Sequence, residues 1–176
     1  MNYPSVTKVL SPYQDFSKVP KNRLENATYR GREIHKICAA IALDLWIPSI
    51  PEEYQGYIES FKRWFAMVDR VHYVETEFKH RVYLYCGHPD LIITMKGDSG
   101  ISLCDIKTPI ALNKAWQLQL AAYANLLKIN KVKISKVFSL RLDPDGKVPK
   151  ADIYTESDQD FNIFLSALNV YRFLNS

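Results

Sequence analysis

The sequence has few cysteines and no long apolar run. Its three cysteines, Cys38, Cys86 and Cys104, share no CxxC spacing and are too few for a disulfide framework. Reduced thiols are typical of a cytosol-like compartment, so we expect a cytoplasmic protein. No apolar stretch approaches the length of a membrane span. No basic region followed by an apolar block opens the chain, so no signal peptide is expected either.

The sequence also lacks internal repeats, low-complexity tracts and a strong excess of one charge. Lysine and arginine number 23 and aspartate and glutamate number 19, which gives a formal net charge of +4. This charge permits a polyanionic partner without requiring one. With 176 residues, of which 47% are hydrophobic, the chain is long enough for one domain with its own core. It has no room for a second domain of ordinary size.

The hydrophobic pattern predicts an N-terminal arm followed by one α/β domain. Three prolines interrupt residues 1–27, so we expect an irregular arm with one helical turn that lies across the domain or contacts another subunit. Helical spacing predicts helices over 29–46, 52–69, 113–128 and 158–174. Ser157 with Asp160 resembles a capping box for the last helix. Runs of β-branched and aromatic residues predict strands over 71–79, 81–86, 89–95, 101–106, 134–142 and 150–155, the first four in a meander. The domain, residues 28–176, therefore has one central sheet flanked by helices.

Two aspartates and a lysine are concentrated in residues 87–107. Asp90 opens one predicted strand, and Asp105 lies near the end of the next, with Lys107 two residues later. Side chains alternate along a strand, so Asp105 and Lys107 point to the same face. If the two strands pair as a hairpin, Asp90 and Asp105 approach each other, and two close carboxylates invite a divalent cation. Taken alone, the two segments are better explained as a turn aspartate and a solvated strand edge.

Polar residues on two predicted helices accompany this cluster. Gly31 and His35 lie in the first helix, upstream of the sheet. Gln119 and Tyr123 are four residues apart on an otherwise apolar helix, so they share a face. A buried glutamine costs free energy unless it is hydrogen-bonded, which favours a specific role for Gln119. Each residue also has a structural explanation, as a core histidine, a packing glutamine or a core tyrosine.

Taken together, the motifs GxxxH, GxxD, DxK and QxxxY resemble the PD-(D/E)XK nuclease superfamily. Their order and element types are most similar to its RecB-like exonuclease branch, which includes the mitochondrial genome maintenance exonuclease and many small phage-encoded nucleases. The resemblance covers residues 29–127 and continues towards 173. It is carried by the segments RGREIH, CGHPDLI, LCDIKT, QLQLAAYANLL and LRLDPDG. The resemblance implies a restriction-endonuclease-like core with a central mixed β-sheet flanked by helices.

The same resemblance implies a centre for Mg²⁺ or Mn²⁺. Asp90 and Asp105 would be metal ligands, the backbone carbonyl of Ile106 a third oxygen ligand, and His35 a ligand from the first helix. A glutamate on the first strand is often a further ligand in the family, and Glu75 is the candidate here, with Glu77 as its competitor. The cysteines lack the number and spacing that hold an iron–sulfur cluster in some relatives, so no cluster is expected.

The catalytic and substrate-binding residues follow from the resemblance in the same way. Lys107 would be the catalytic lysine. Gln119 would contact the substrate backbone or orient the site, and Tyr123 would support it. Basic residues near the motifs are candidates for phosphate contacts, namely Arg30, Arg32, Lys36 and Lys114. Trp116 and Tyr29 are candidates for stacking on a base, although core packing is the favoured interpretation of both.

The implied activity is that of a Mg²⁺- or Mn²⁺-dependent deoxyribonuclease, an exonuclease in DNA recombination, repair or phage DNA processing. A chain of 176 residues leaves no room for an appended DNA-recognition domain. This favours an exonuclease over a sequence-specific endonuclease. A structure-specific endonuclease and a catalytically idle nucleic-acid-binding module on the same fold are the alternatives. DNA is the expected partner, and an annealing or recombination protein and a second copy of the chain are further candidates. A phage-encoded chain would act in the host cytoplasm.

Overall fold

The computed structural model describes residues 3–14, 20–47, 49–108, 113–155 and 158–175. The helices are α1 (Val6–Leu10), α2 (Lys21–Ala42), α3 (Glu52–Phe65), α4 (Ala115–Ile129) and α5 (Asp158–Leu174), and a single 3-10 turn spans Ser11–Tyr13. The strands are β1 (Val68–Val74), β2 (Phe78–His80), β3 (Tyr85–Gly87), β4 (Leu91–Met95), β5 (Ile101–Lys107), β6 (Ile134–Arg141) and β7 (Lys150–Tyr154). The capping box predicted at Ser157 lies outside the described residues.

A five-stranded mixed sheet forms the centre of the molecule, in the order β1-β4-β5-β6-β7. Strands β5 and β6 are parallel, and the other neighbours are antiparallel. The connection between the two parallel strands contains α4, as a crossover between parallel strands requires. Strands β2 and β3 pair with each other in a separate hairpin. The α/β class and the single central mixed sheet expected from the sequence are confirmed.

Helices cover both faces of this sheet. On one face, α1, α4 and α5 pack on side chains such as Ile92 and Leu103. On the other face, α2 and α3 pack on the neighbouring residues Ile93 and Cys104. Adjacent residues of a strand point to opposite faces, which explains why the central strands are apolar almost throughout. Among the described residues, no helix is both long and apolar enough to cross a membrane.

The N-terminal segment contains the expected helical turn, as α1, but it is packed into the core rather than irregular. Val6, Val9 and Leu10 of α1 are buried in the core beside α4 and α5. Pro4 accepts a hydrogen bond from the backbone N–H of Cys86, which fixes the segment against β3. The segment therefore lies across the domain, which is one of the two placements considered for it.

Helix α2 begins at Lys21 and ends at Ala42, whereas the sequence pattern predicts residues 29–46. Its first two turns are mostly exposed and carry no apolar stripe, so hydrophobic periodicity does not detect them. Helix α3 likewise ends at Phe65, short of the predicted residue 69.

The predicted strand over residues 71–79 is wrong, because the chain turns within it. Strand β1 ends at Val74, and the next residue, Glu75, has a φ of 46°. That left-handed conformation is incompatible with a continuous strand. Residues 78–80 then pair with residues 85–87 rather than with β1, and β1 pairs directly with β4. The predicted four-strand meander is therefore wrong as well.

Candidate metal centre

The edge of the central sheet where β4 begins and β5 ends holds the acidic cluster. These two strands are antiparallel neighbours, with Leu91 opposite Cys104. Asp90, just before β4, and Asp105, near the end of β5, therefore lie at the same edge of the sheet. The Oδ2 atom of Asp90 accepts a hydrogen bond of 2.5 Å from the backbone N–H of Ile106. The hairpin that the sequence argument required is present.

Three side chains from separate segments meet at this edge. His35 of α2, Glu75 after β1 and Asp90 each offer a ligand atom, and these atoms lie within 4.8 Å of one another. His35 Nδ1 is 3.3 Å from Asp90 Oδ1. The left-handed turn at Glu75 ends the strand here, and the Glu75 N–H donates to the backbone carbonyl of Asp90 at 3.1 Å. Glu77, the competing glutamate, instead pairs with Lys79 at 2.9 Å on the exposed surface.

The ionisation of the three groups is strongly linked. Burial alone lowers the pKa of His35, but the charge and hydrogen bond of Asp90 outweigh this effect and raise the pKa to about 8. Burial pushes the pKa of Asp90 upwards, yet His35 and Lys107 hold it below its ordinary value. Partial burial and the nearby Asp90 carboxylate raise the pKa of Glu75 to about 7. Excess negative charge at this position is therefore unfavourable without a cation.

A second group of side chains lies beside the first and surrounds Asp105. Lys107 Nζ is 2.5 Å from Asp105 Oδ2 and donates a hydrogen bond of 3.1 Å to Gln119 Oε1. The Gln119 amide nitrogen donates to Asp105 Oδ1 at 3.1 Å and to the Tyr123 hydroxyl at 3.3 Å. The Lys107 ammonium also lies 5.6 Å from the ring centroid of Trp116, a cation–π contact. Three hydrogen bonds thus offset the free-energy cost of burying the Gln119 amide.

Asp105 is the most deeply buried acid of the site, at 1% exposure. Burial raises its pKa to about 6, against the lowering effect of Lys107. Burial also raises the pKa of Tyr123, and the negative charge of Asp105 adds to the rise. Asp105 does not belong to the group of three that could share one ion. Its carboxylate is instead engaged by Lys107 and Gln119.

The donor set fits a hard or borderline divalent cation. Carboxylate oxygens suit Mg²⁺ and Mn²⁺, and an imidazole nitrogen favours Mn²⁺ of the two. The N–H and C=O of one residue in a strand point to the same side. The Ile106 carbonyl therefore faces the same side as its N–H, towards Asp90, and its role as a ligand stays a prediction.

The cluster lies in a cleft with a volume of about 760 Å³. One wall is a face of α2, and the other consists of N-terminal residues and the segment before β4, with Ser5, Gln14 and His88 among the lining residues. Asp105, Lys107 and Gln119 also line this cleft. The cleft therefore combines a possible cation site, a cationic lysine and enough volume for a small organic ligand.

The candidate phosphate-binding residues divide into two pairs. Arg32 and Lys36 line the cleft, although Lys36 is also 2.6 Å from Glu33. Arg30 does not line it. Arg30 packs on the ring of Tyr57 and donates to the Thr108 carbonyl, so it ties α2 to α3 and to the end of β5. Lys114 is exposed at the start of α4, outside the cleft.

The two candidate stacking residues also differ. Trp116 is buried, in agreement with the core packing that the sequence favours. Tyr29 is exposed, so the expectation of core packing is wrong for this residue. It lies on α2 but does not line the cleft.

Sequence reasoning missed several features of the cleft. Ser5 followed by Val6, Val9 and Leu10 is an N-cap with helical apolar spacing, which could have revealed α1 as part of the core. Gly87 lies so close to the ring of Tyr123 that a Cβ would be 2.5 Å from it. No sequence signal predicts this contact. Trp46 belongs to no motif, so the sequence does not link it to the cleft. It lies next to Leu45, which lines the cleft together with Leu43.

Comparison with known proteins leaves the function open. No family model matches the sequence. No curated protein matches it either. The function therefore has to be inferred from the cleft and its side chains.

Proposed function

We propose that this protein is a metal-dependent nuclease with a restriction-endonuclease-like core, which hydrolyses DNA phosphodiester bonds from strand ends. The central support is that motif residues far apart in the sequence meet in one cleft. His35, Glu75 and Asp90 can share one ion. Asp105 and Lys107 lie beside them in the same cleft. Acids that can hold a divalent cation, with a cationic lysine beside them, can polarise a phosphate group and offset the charge that develops during its hydrolysis.

Each side chain has a defined task in this proposal. A divalent cation held by His35, Glu75 and Asp90 would supply Lewis-acid polarisation of a phosphate oxygen. The Lys107 ammonium offsets the negative charge that grows on the phosphate as the bond breaks. Asp105 and Gln119 fix the position of that ammonium before substrate arrives, so little reorganisation is needed during the reaction. Tyr123 fixes Gln119 in turn.

The test is digestion of end-labelled linear single-stranded and double-stranded DNA beside a closed circle. Reactions contain Mg²⁺, Mn²⁺ or EDTA. We expect the linear substrates to shorten from their ends with either metal, the circle to persist and EDTA to stop the reaction. Lys107→Ala should lower the rate by about a hundred-fold or more, as loss of one charge-stabilising donor does in other active sites.

Lys147→Ala is the matched control. Lys147 is an exposed lysine in the turn after β6, where it pairs with Asp145 at 3.2 Å, and it does not line the cleft. This variant should cut at the wild-type rate. Cutting of the circle would instead identify an endonuclease. Wild-type protein that binds DNA but cuts none of the substrates with either metal would contradict the proposal and favour a binding module.

A further inference from the structure

A solvent-exposed apolar patch follows α2. It consists of Leu43, Leu45 and Trp46, and Trp46 is 85% exposed, more than any other large hydrophobic side chain among the described residues. Single exposed apolar residues are common on protein surfaces. Three in a span of four residues, one of them a tryptophan, make this segment a candidate binding surface.

The backbone holds this patch in a defined position. Leu45 N–H donates to the Ala40 carbonyl at 2.9 Å, and Asp44 N–H donates to the Ile41 carbonyl at 3.1 Å. Asp44 has a φ of 53°. These features form a Schellman motif, the hydrogen-bonded end of a helix in which the residue after the cap is left-handed. The patch is therefore anchored to the end of α2.

The patch borders the candidate active site, and Trp46 lies just outside the cleft, next to Leu45. Leu43 and Leu45 line the same cleft as the proposed metal ligands. Leu43, the residue that caps α2, follows His35 by eight residues, so it lies about 12 Å further along the axis of the helix. Ala39 and Ala40 lie between them on the cleft wall. Their short side chains leave an open path from the acidic cluster to the patch.

Two cationic side chains lie beside the acidic cluster on α2. Arg32, three residues before His35, and Lys36, one residue after it, line the cleft, and Arg32 makes no ion pair with any described residue. Cationic side chains that contact phosphates, with an exposed aromatic side chain nearby, are the usual design of a single-strand binding site. Phosphates contact the cations, and an unpaired base stacks on the ring. Paired bases in a duplex do not offer their faces in this way.

We infer that Trp46, with Leu43 and Leu45, is a stacking platform for an unpaired base of the DNA strand held in the cleft. This inference rests on the proposed nuclease function and specifies its substrate. The enzyme binds a single strand, or the frayed end of a duplex, with its backbone along α2. Trp46 then contacts a base away from the bond that is cut.

The fluorescence of Trp46 offers a direct test. The chain has three tryptophans. Trp64 and Trp116 are only 4% and 7% exposed. Trp116 contacts Lys107, so the quenching due to Trp46 is the difference between wild type and Trp46→Phe, which keeps Trp116. The probe is a single-stranded DNA oligonucleotide of about twelve nucleotides, titrated in Ca²⁺ to observe binding apart from cleavage. We expect it to quench tryptophan fluorescence, and we expect a matched abasic oligonucleotide, which keeps the phosphates and lacks bases, to cause little quenching.

Substitutions complete the test. Trp46→Ala should weaken binding of the single strand about ten-fold, and Trp46→Phe should restore most of the affinity without the quenching. Binding of the abasic oligonucleotide should hardly change in either variant. Ile153→Ala, which truncates an exposed apolar side chain on edge strand β7 outside the cleft, should bind like wild type. Because Trp46 is so exposed, none of these changes should alter the circular dichroism spectrum.

Cleavage in Mn²⁺, measured separately, distinguishes failure of this inference from failure of the proposed function. If wild type cuts DNA but shows no quenching, or if Trp46→Ala binds as tightly as wild type, the inference is wrong and the nuclease proposal stands. Quenching without cleavage supports the platform and contradicts the nuclease. If wild type neither binds nor cuts DNA, both are wrong, and the patch becomes a candidate contact for a protein partner.

Discussion

Gly87 lies where the candidate site leaves no room for a side chain. A Cβ at this position would be 2.5 Å from the ring of Tyr123 and 3.0 Å from the Leu126 side chain. Both neighbours are buried in the core, so neither can move freely. Tyr123 accepts a hydrogen bond from Gln119, which holds Lys107. A shift of the Tyr123 ring would therefore displace Gln119, and with it the proposed catalytic lysine, Lys107.

Gly87→Ala should disturb stability and activity together. We expect the free energy of unfolding to fall by about 1–3 kcal/mol, as is usual for overpacking of a tight core. DNA cleavage should slow at saturating substrate, because Lys107 is less well positioned. Urea denaturation and single-turnover cleavage measure the two effects.

Gly31→Ala is the matched control for this substitution. A Cβ at Gly31 would make only an ordinary contact, 3.6 Å from the Thr108 hydroxyl oxygen, and the residue lies within α2. Alanine in a helix is more stable than glycine by about 0.5–1 kcal/mol, so this variant should gain stability. Equal effects of the two substitutions would contradict the close approach at Gly87.

His80 connects the β2–β3 hairpin to helix α4. His80 Nε2 is 3.0 Å from Asn125 Oδ1 on α4, and His80 Nδ1 accepts a hydrogen bond of 3.0 Å from the Tyr83 backbone N–H. Since Nδ1 is an acceptor, the proton of the neutral ring lies on Nε2. A second proton would face the Tyr83 N–H. Burial lowers the pKa of His80, with the hydrogen bond to Asn125 as a smaller opposing effect.

This environment predicts a pH-dependent contribution of His80 to stability. In the unfolded chain a histidine takes up a proton near pH 6.5, whereas in the folded protein His80 does so only at lower pH. The contribution is therefore fully present above about pH 6.5 and declines as the pH falls below that value. Wild type should be more stable than His80→Gln at about pH 8, and this difference should shrink at about pH 5.

The difference between the two proteins isolates His80, because the other titrating groups are common to both. Glu75, Asp105 and His35 have raised pKa values, so their contributions to stability change with pH in the opposite direction. Urea denaturation at several pH values gives the free energies. A difference that stays constant across the range would show that His80 takes up its proton equally in both states.

At the scale of the whole molecule, secondary structure is predicted best where buried apolar residues recur at a regular spacing along the chain. Helices α3, α4 and α5 were predicted within a few residues, because each buries a periodic apolar stripe. Strands β5 and β6 are predicted from their β-branched and aromatic residues, and most of β5 and the second half of β6 are buried. The motif residues could be chosen because their order and element types resemble a known superfamily.

Features that depend on distant parts of the chain could not be predicted in this way. The left-handed Glu75 divides one predicted strand and brings its carboxylate to Asp90, but the residues around it have good strand propensity. Only the tertiary structure shows that Glu75 is placed as a possible metal ligand, whereas Asp105 pairs with Lys107. The same is true of the parallel pairing of β5 with β6, since that register depends on the crossover.

The N-terminal segment is packed more firmly into the core than the expected arm, and it makes a strong prediction about the whole fold. Leu10 is 1% exposed and packs in the core shared by α1, α4 and α5. Leu10→Ala should therefore lower the free energy of unfolding by about 2–5 kcal/mol, the usual cost of a truncated core leucine. Tyr13→Ala, three residues later on an exposed side chain, should change it by less than about 0.5 kcal/mol. Urea denaturation of both variants measures this contrast. Equal stabilities would mean that the segment is a detachable arm, and the cleft wall that includes Ser5 and Gln14 would then be dispensable for folding.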